Sequence, residues 1–262
     1  MDETLEARYS EILVGIDPSF LDHTEAKGRG LSTPFLVNGP KDPDARRIMV
    51  IGREYGGDGW IVQPKGKGVS AYVTEALAKH QKFFDKCMAQ REMDRGSTFF
   101  NFMRALRNKF GPGGLIYSNL LCIDSGGTDP SKSKDFPLIK DLSKRLLDVQ
   151  LDHFKPDVVI FANGSTTRDV RVEFFPTKGE KKVCVGRRDW EEAGIPNMQL
   201  WEFELLGKFL CYRIQHPSAQ SKASAAARRH LVEVLAQTLL QGRLVSASAA
   251  GAGGSAIASC QP

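Results

Sequence analysis

Three polar residues whose side chains could act on one substrate lie far apart in the sequence. Glu54 follows the apolar run 48–51 and Gly52, Asn119 lies within LIYSNLLCI, and His216 begins an HPS triplet after KFLCYRI. A carboxylate can stabilise a cation or deprotonate water, an amide can donate and accept hydrogen bonds, and an imidazole N–H can stabilise a leaving anion. This chemistry requires the three side chains to meet.

The surrounding sequence predicts a fold that would bring them together. Short apolar runs at 48–51, 115–123, 157–162 and 208–214 are typical of strands buried on both faces. They alternate with helical patterns, which predicts an α/β three-layer α/β/α sandwich with a central, mainly parallel, four-stranded sheet. Ligands of such sheets bind beyond the carboxyl ends of the strands. We therefore expect Glu54, Asn119 and His216 at that edge, although Asn119 lies inside its apolar run.

Helices are predicted over five stretches that separate or flank these strands. The first four are 4–16, 70–93, a stretch that starts at Ser97 or Thr98 and ends before GPGG at 111–114, and 138–154; the last is 223–242. We expect residues 1–243 to form a single domain. Residues 244–262 are a low-complexity, small-residue tail that we expect to be disordered.

Composition limits the classes of protein that remain. Hydrophobic residues make up 41% of the 262 residues, which is enough for a sizeable core and excludes wholesale disorder. The net charge of +5 permits a nucleic-acid partner without requiring one. The five cysteines are scattered without a CxxC pair, so we expect no local metal site and no disulfide framework. The acidic start and the short apolar runs predict a cytoplasmic protein without a membrane span.

Four motifs in order resemble those of the uracil-DNA glycosylase superfamily. They are GREYGG after a strand, YSNLLC, KPDVVIFANGS and HPS, and the resemblance covers roughly residues 33–240. It implies a DNA glycosylase that flips out a pyrimidine and hydrolyses its N-glycosidic bond to leave an abasic site. Most branches of the family need no metal, and one holds an iron–sulfur cluster with four cysteines. Without a CxxC pair we expect no such cluster, and no other cofactor.

The resemblance assigns a role to each of the three polar residues. Glu54 would stabilise the oxocarbenium-like sugar and orient the attacking water, because cleavage of the glycosidic bond builds positive charge on the sugar. Asn119 would pair with the edge of the base, and His216 would donate a hydrogen bond to its O2. The alternatives are a solvated loop acid, an asparagine that caps a turn and a structural histidine.

The first motif also bears on which base is removed. Gly52 and Gly56 would let the backbone approach the nucleotide, and Tyr55 stands where many relatives have proline. In the uracil-strict branch a tyrosine occupies the position of Gly56 and excludes groups on C5. The glycine therefore predicts space for 5-substituted pyrimidines, including the glucosylated hydroxymethylcytosine of phage DNA, and an antiviral role. Tyr55 and the uncommon Glu54 favour the alternative of a non-catalytic nucleic-acid binder on the same fold.

An aromatic residue is expected to stack on the flipped base. Phe99 and Phe100, in STFFNF, resemble this element, with Trp60 and Tyr72 as rivals. Phenylalanine at helical spacing is also typical of a core.

DNA contacts are predicted outside the base pocket. Gln220 stands where relatives often carry a leucine wedge that fills the space left by the flipped base. Candidates for phosphate contact, each also compatible with plain solvated surface, are Ser165, Ser218, Arg228 and Arg229. We expect DNA as the partner, no obligate protein partner and a monomer.

Two other interpretations of the sequence have less support. GIDPS at 15–19 offers Asp17 as the acid of the first motif, but it ends a helical pattern rather than a strand. An unrelated nucleotide-handling enzyme would need a phosphate loop such as GxxxxGK[ST], and neither GREYGGDGW nor PKGKGVS supplies one.

Overall fold

The protein is built on one six-stranded mixed sheet. The computed structural model describes residues 3–42, 44–56, 59–90 and 97–251, with side chains through Leu239. The strand order is β2-β1-β3-β6-β5-β4. The strands are β1 (Ile48–Gly52), β2 (Leu115–Asn119), β3 (Val158–Phe161), β4 (Cys184–Arg188), β5 (Leu200–Leu205) and β6 (Phe209–Ile214).

Helices flank this sheet along the chain. They are α1 (Leu5–Val14), α2 (His23–Gly28), α3 (Val69–Ala89), α4 (Thr98–Phe110), α5 (Phe136–Phe154), α6 (Arg168–Phe174) and α7 (Lys222–Gly251), with short 3-10 helices at Pro18–Phe20, Pro130–Lys132 and Glu191–Ala193. Helix α1 packs on α3 and α5, and α7 packs on α4, β5 and β6. None of the helices within the described ranges is long and apolar enough to cross a lipid bilayer.

The α/β class is confirmed, whereas the prediction of four strands is wrong. The four predicted strands correspond to β1, β2, β3 and β6, and their pairings are all parallel. Strands β5 and β4 extend the sheet in antiparallel register beyond β6. Both escaped prediction because neither is a continuous apolar run: β5 reads LWEFEL, with polar residues between apolar ones, and β4 is exposed after Cys184.

The end of β2 also differs from the prediction, in a way that matters for the site. The predicted strand continued to residue 123, but β2 ends at Asn119, which pairs with Gly52, the last residue of β1. The chain then follows the segment after β1, with Leu120 N donating to the Gly52 carbonyl at 3.0 Å. Asn119 therefore stands at the carboxyl end of its strand, as the expected chemistry requires.

The predicted helices are found with shifted limits. The predicted helix 70–93 corresponds to α3, and residues 91–96 lie outside the described residues. Ser97 is the residue before α4, and Gly111 follows the helix, as predicted. The expected tail from residue 244 begins inside α7, which runs to Gly251, and residues 252–262 also lie outside the described residues.

The turn between β5 and β6 makes one prediction about stability. Leu206 and Gly207, its central residues, have φ of 57° and 64°. Leucine in this left-handed region costs about 1–2 kcal/mol, whereas asparagine tolerates it. We expect Leu206→Asn to raise the free energy of unfolding by about 1 kcal/mol, measured by urea denaturation. Leu138→Asn, at an exposed helical leucine, is the matched control and should not stabilise; equal effects would contradict the prediction.

A candidate base-binding site at the ends of β1 and β2

Gly52 permits a close contact that defines the centre of the candidate site. A Cβ atom at this position would lie 2.6 Å from Asn119 Oδ1 and 3.3 Å from Phe99 Cε2. The first distance is shorter than real Cβ contacts allow and the second is tighter than most, so a side chain at this position would displace the Asn119 amide and press on the Phe99 ring. The structure thus brings together three of the predicted substrate-binding residues.

The side-chain amide of Asn119 is buried without hydrogen bonds. The residue is 6% exposed, and neither Nδ2 nor Oδ1 has a hydrogen-bond partner of acceptable geometry within the described parts of the chain. The amide lies close enough to the Tyr117 hydroxyl to lower the pKa of that phenol, which burial raises more strongly. A buried amide without partners costs folding free energy, so it is available to a ligand that offers a complementary edge.

Phe99 joins this amide to the predicted histidine. Its ring lies nearly parallel to the His216 imidazole, with centroids 5.9 Å apart and planes 29° apart, and 5.2 Å from the Tyr117 ring. Phe100 instead packs edge-on against Phe83 and Tyr117. Of the two phenylalanines predicted to stack on a base, Phe99 is therefore the one at the site.

The rival aromatic residues are parts of the core. Trp60 is buried and packs edge-on against Phe35, and Tyr72 is buried with its hydroxyl donating to the Pro34 carbonyl. Tyr55 also lies against Trp60 and Phe83. The ring of Tyr55 thus holds the segment after β1 onto an aromatic cluster.

The hydrogen bonds of His216 fix its tautomer. Its Nδ1 accepts the Ser218 backbone N–H at 3.2 Å and lies 2.7 Å from the Ser218 hydroxyl. A nitrogen that accepts from a backbone amide carries no proton, so the neutral ring carries its proton on Nε2. Burial, together with the smaller effect of the charges of Arg53 and Arg228, lowers the pKa of His216 to about 4. At neutral pH the ring is an uncharged hydrogen-bond donor.

The side chain of Glu54 is buried, unlike that of a solvated loop acid. Its side chain is 4% exposed, Oε1 lies 3.4 Å from Arg53 Nη2, and Oε2 is buried without a hydrogen-bond partner among the described residues. Burial raises the pKa of the Glu54 carboxyl; Arg53 opposes this rise, and the charges of Asp129 and Asp124 add to it. The interpretation of Glu54 as a solvated acid is therefore wrong.

Electrostatic contacts connect Glu54 with the other site residues. The charge of Arg53, which pairs with Glu54, also lowers the pKa of His216. The charge of Glu54 raises the pKa of Tyr117. None of the five surface cavities outlined by the described residues is lined by Glu54, Asn119 or His216. Glu54, Asn119 and His216 therefore converge without lining any of these five cavities.

Asp124 is a residue of this region that the sequence analysis missed. It is buried, and its carboxylate accepts the Gly127 N–H at 2.6 Å and the Trp60 N–H at 3.2 Å. It thereby fastens the loop after β2 to the chain that follows Glu54. Burial raises the pKa of Asp124, and the hydrogen bonds it accepts oppose this rise. Its position just past an apolar run was the signal that could have revealed it.

Some of the predicted DNA contacts surround His216. Gly164, in the turn after β3, has φ of 70°, and a Cβ there would lie 3.1 Å from the His216 backbone nitrogen. Ser165 follows this turn and is exposed, and Ser218 contacts the imidazole.

The remaining predicted DNA contacts lie farther along the chain. Arg228 is half-buried and donates to the Ala219 carbonyl, whereas Gln220 and Arg229 are exposed. Arg228 and Arg229, with Pro217, line a groove of about 520 Å³ between α4 and α7.

Two further candidates linked to the first motif, Gly56 and Asp17, lie at the surface. Gly56 is exposed, and a Cβ there would come only to 4.0 Å from the Gly127 carbonyl oxygen. Asp17 is exposed, accepts the Ser19 N–H and pairs with Arg29 at 3.6 Å, so it caps a 3-10 turn. Its contacts are local, as the sequence context indicated.

Comparisons with known proteins add no family assignment. No protein-family model matches the chain, and no curated protein matches it. Within the described residues, no group of three or more His, Cys, Asp or Glu side chains could hold a metal ion. The site is therefore interpreted from its own geometry and from the resemblance of its motifs.

The contact at Gly52 makes a direct prediction. Gly52→Ala places a methyl group against the Asn119 amide and Phe99, and such overpacking typically costs 1–3 kcal/mol. We expect a loss of about 2 kcal/mol in the free energy of unfolding and shifted Asn119 side-chain amide resonances. Gly28→Ala is the matched control, because a Cβ there meets nothing within 4 Å. Equal behaviour of the two variants would contradict the packing described.

The ionisation of His216 makes a second prediction. Its pKa is about 4 in the folded protein against 6.5 for the free side chain, so protonation favours unfolding. Its stabilising contribution is complete above pH ~6.5 and is lost as the pH falls towards ~4. In a ring-proton NMR titration, we expect the His216 resonance to remain in its neutral position from pH 8 to about 5. A midpoint near 6.5 would show that the ring is not buried as described.

Proposed function

We propose that the protein is a DNA glycosylase that hydrolyses the N-glycosidic bond of an everted pyrimidine. One observation carries the proposal: neither amide atom of the buried Asn119 side chain has a hydrogen-bond partner of acceptable geometry among the described residues, and the amide lies against Gly52. An amide offers the pattern that matches the edge of a pyrimidine. The parallel strand order β2-β1-β3-β6 supports the proposed three-layer core, because ligands of such sheets bind beyond the carboxyl ends of the strands, where Asn119 lies.

His216 would stabilise the leaving base. When the C1′–N1 bond breaks, its electron pair passes to the pyrimidine ring and negative charge develops at O2. A neutral imidazole with its proton on Nε2 can donate to that oxygen without protonating it. The depressed pKa of His216 supports this role, because a protonated ring would lose the contact through which Ser218 orients it.

Glu54 would act on the other side of the bond. The sugar becomes cationic as the base leaves, and a carboxylate stabilises it while accepting a proton from the water that adds to C1′. Burial raises the pKa of Glu54 and so makes it a stronger base than a solvated glutamate, and Arg53 favours its charged form. The products are the free base and an abasic deoxyribose.

The proposal requires the site to open. The Glu54 side chain is 4% exposed, and the His216 ring covers one face of Phe99. A pyrimidine that stacks between Phe99 and His216 and contacts Glu54 would require the two rings to separate and the segment 53–56 to shift. Binding of DNA would supply the free energy for this change, as it does for base eversion.

Gly56 bears on the class of base that the site would accept. A glycine at this position has no side chain to limit the space beside C5 of a pyrimidine bound there, and among the described residues a Cβ would meet only the Gly127 carbonyl oxygen, at 4.0 Å. We therefore propose that uracil or 5-substituted pyrimidines are substrates, among them the modified cytosines of phage DNA. In that case the protein would act on DNA as a cytoplasmic monomer in antiviral defence.

A second function has its own support. The enclosure of Glu54 and its ion pair with Arg53 would also suit a protein that binds everted bases without cleaving them. In that case the acid would serve to hold the loop after β1, and the amide of Asn119 would still recognise the base.

Replacement of Glu54 separates these two functions. We expect the parent protein to release free base from at least one duplex in a panel containing uracil, hydroxymethylcytosine or its glucosylated form, measured by mass spectrometry. Glu54→Gln keeps the shape but removes the base catalyst, so release should fall by about 10²–10⁴-fold while DNA affinity is kept.

The matched control is Glu75→Gln, which replaces a partly exposed glutamate of α3 and should retain full activity. If neither parent nor variant releases a base but both bind the same duplex, the binding function is correct. Release by Glu54→Gln at the parental rate would contradict the catalytic role of Glu54.

A further inference from the structure

Three arginines line a second cavity on one face of the sheet. Arg168 and Arg171 reach it from α6, and Arg213 reaches it from β6. The cavity measures about 330 Å³, and its walls include the aromatic rings of Trp201 and Phe203 on β5. Trp201 and Phe203 stack with centroids 4.5 Å apart, which gives the cavity a flat aromatic side.

The pairing of β5 with β6 keeps carboxylates away from this face. Arg213 is paired with Trp201, so their side chains share a face of the sheet. Because side chains alternate along a strand, Glu202 points to the opposite face, where it lines a different cavity together with α7. The neighbouring acids of β5 therefore do not neutralise the arginines.

The hydrogen bonds of the arginines leave their charge uncompensated. Arg171 is 9% exposed and donates to Asn163 Oδ1 at 2.8 Å and to the Gly164 carbonyl at 3.2 Å, both neutral acceptors. Arg213 donates to the carbonyl and side-chain oxygens of Asn197, and its Nε is buried without a partner among the described residues.

Among the described residues, the carboxylate that pairs with one of these arginines is exposed to solvent. Asp169, 96% exposed, lies 3.4 Å from Arg168. The pKa of Arg171 is lowered to about 10, first by burial and then by the charges of Arg213 and Arg168. Three crowded guanidinium groups are costly unless an anion joins them.

We propose that this cavity binds a phosphate group. Guanidinium forks match phosphate oxygens in geometry and keep their charge at any physiological pH. Lys178 lies on the rim of the cavity and adds a further positive charge. A phosphate ester would satisfy the free Nε of Arg213 and offset the repulsion within the cluster.

The phosphate site adjoins the candidate base-binding site without depending on it. Arg171 holds the carbonyl of Gly164, and Gly164 packs against the backbone of His216. Phosphate binding therefore does not require base excision, and the two are tested by separate experiments. A nucleotide, a terminal phosphate of DNA and the DNA backbone share the required chemistry.

Binding measurements on the full chain test this proposal. We expect inorganic phosphate and thymidine 5′-monophosphate, but not thymidine, to bind the parent protein in isothermal titration calorimetry. Arg168→Gln and Arg213→Gln should each weaken binding about tenfold, the value of one charge-assisted hydrogen bond. Arg168, whose side chain is 68% exposed, can be replaced without disturbing the fold, so the test survives if the Arg213 variant misfolds.

Arg145→Gln is the matched control, because this α5 arginine is 40% exposed, loses the same charge and lies outside the cavity. Oligonucleotides with a 5′-phosphate or a 5′-hydroxyl distinguish the sources. If the phosphorylated strand binds more tightly, the site takes a terminal phosphate. If the two strands bind equally, and Arg168→Gln weakens this binding whereas Arg145→Gln does not, the site takes the DNA backbone. No binding of any phosphate compound, or equal loss in Arg145→Gln, would overturn the proposal.

Discussion

The close approach of β1 and β2 at their carboxyl ends depends on the missing side chain of Gly52. The two strands pair in parallel register, so Gly52 and Asn119 are neighbours by backbone geometry alone. Any Cβ at Gly52 would occupy the space of the Asn119 amide and of Phe99. The same contact brings His216 to the site, because its ring lies along Phe99. One glycine thus permits residues from β1, β2, α4 and the end of β6 to meet.

Around this contact the protein keeps polar groups that the fold does not satisfy. Among the described residues, neither amide atom of Asn119 has a hydrogen-bond partner, and neither does Oε2 of Glu54. Buried groups of this kind reduce stability, and most proteins pair them with protein atoms or water. Their concentration at the end of one strand pair is typical of a site whose partner is a ligand. Among the described residues, Arg213 Nε in the arginine cavity is likewise buried without a hydrogen-bond partner.

The sequence predicts the parts of this structure that depend on local pattern. Continuous apolar runs identify the four parallel strands, whereas β5 carries polar residues between apolar ones and β4 is exposed after Cys184, so neither is predicted. The position of Glu54 after a strand is visible in sequence, but its burial is not, since it depends on the loop held by Asp124. The arginine cavity is equally invisible, because α6 and β6 are distant in the chain and meet only in the folded sheet.

The central claim is that the Asn119 amide recognises an everted pyrimidine. NMR of the side-chain amide in 15N-labelled protein tests it directly, with a duplex that carries 2′-fluoro-2′-deoxyuridine, whose glycosidic bond resists cleavage. The account predicts that the Asn119 amide protons shift downfield on saturation, as they gain hydrogen bonds, while those of Asn38, whose neighbour Gly39 packs against Phe154 at the end of α5, change little. Unchanged Asn119 resonances in a saturated complex would contradict it.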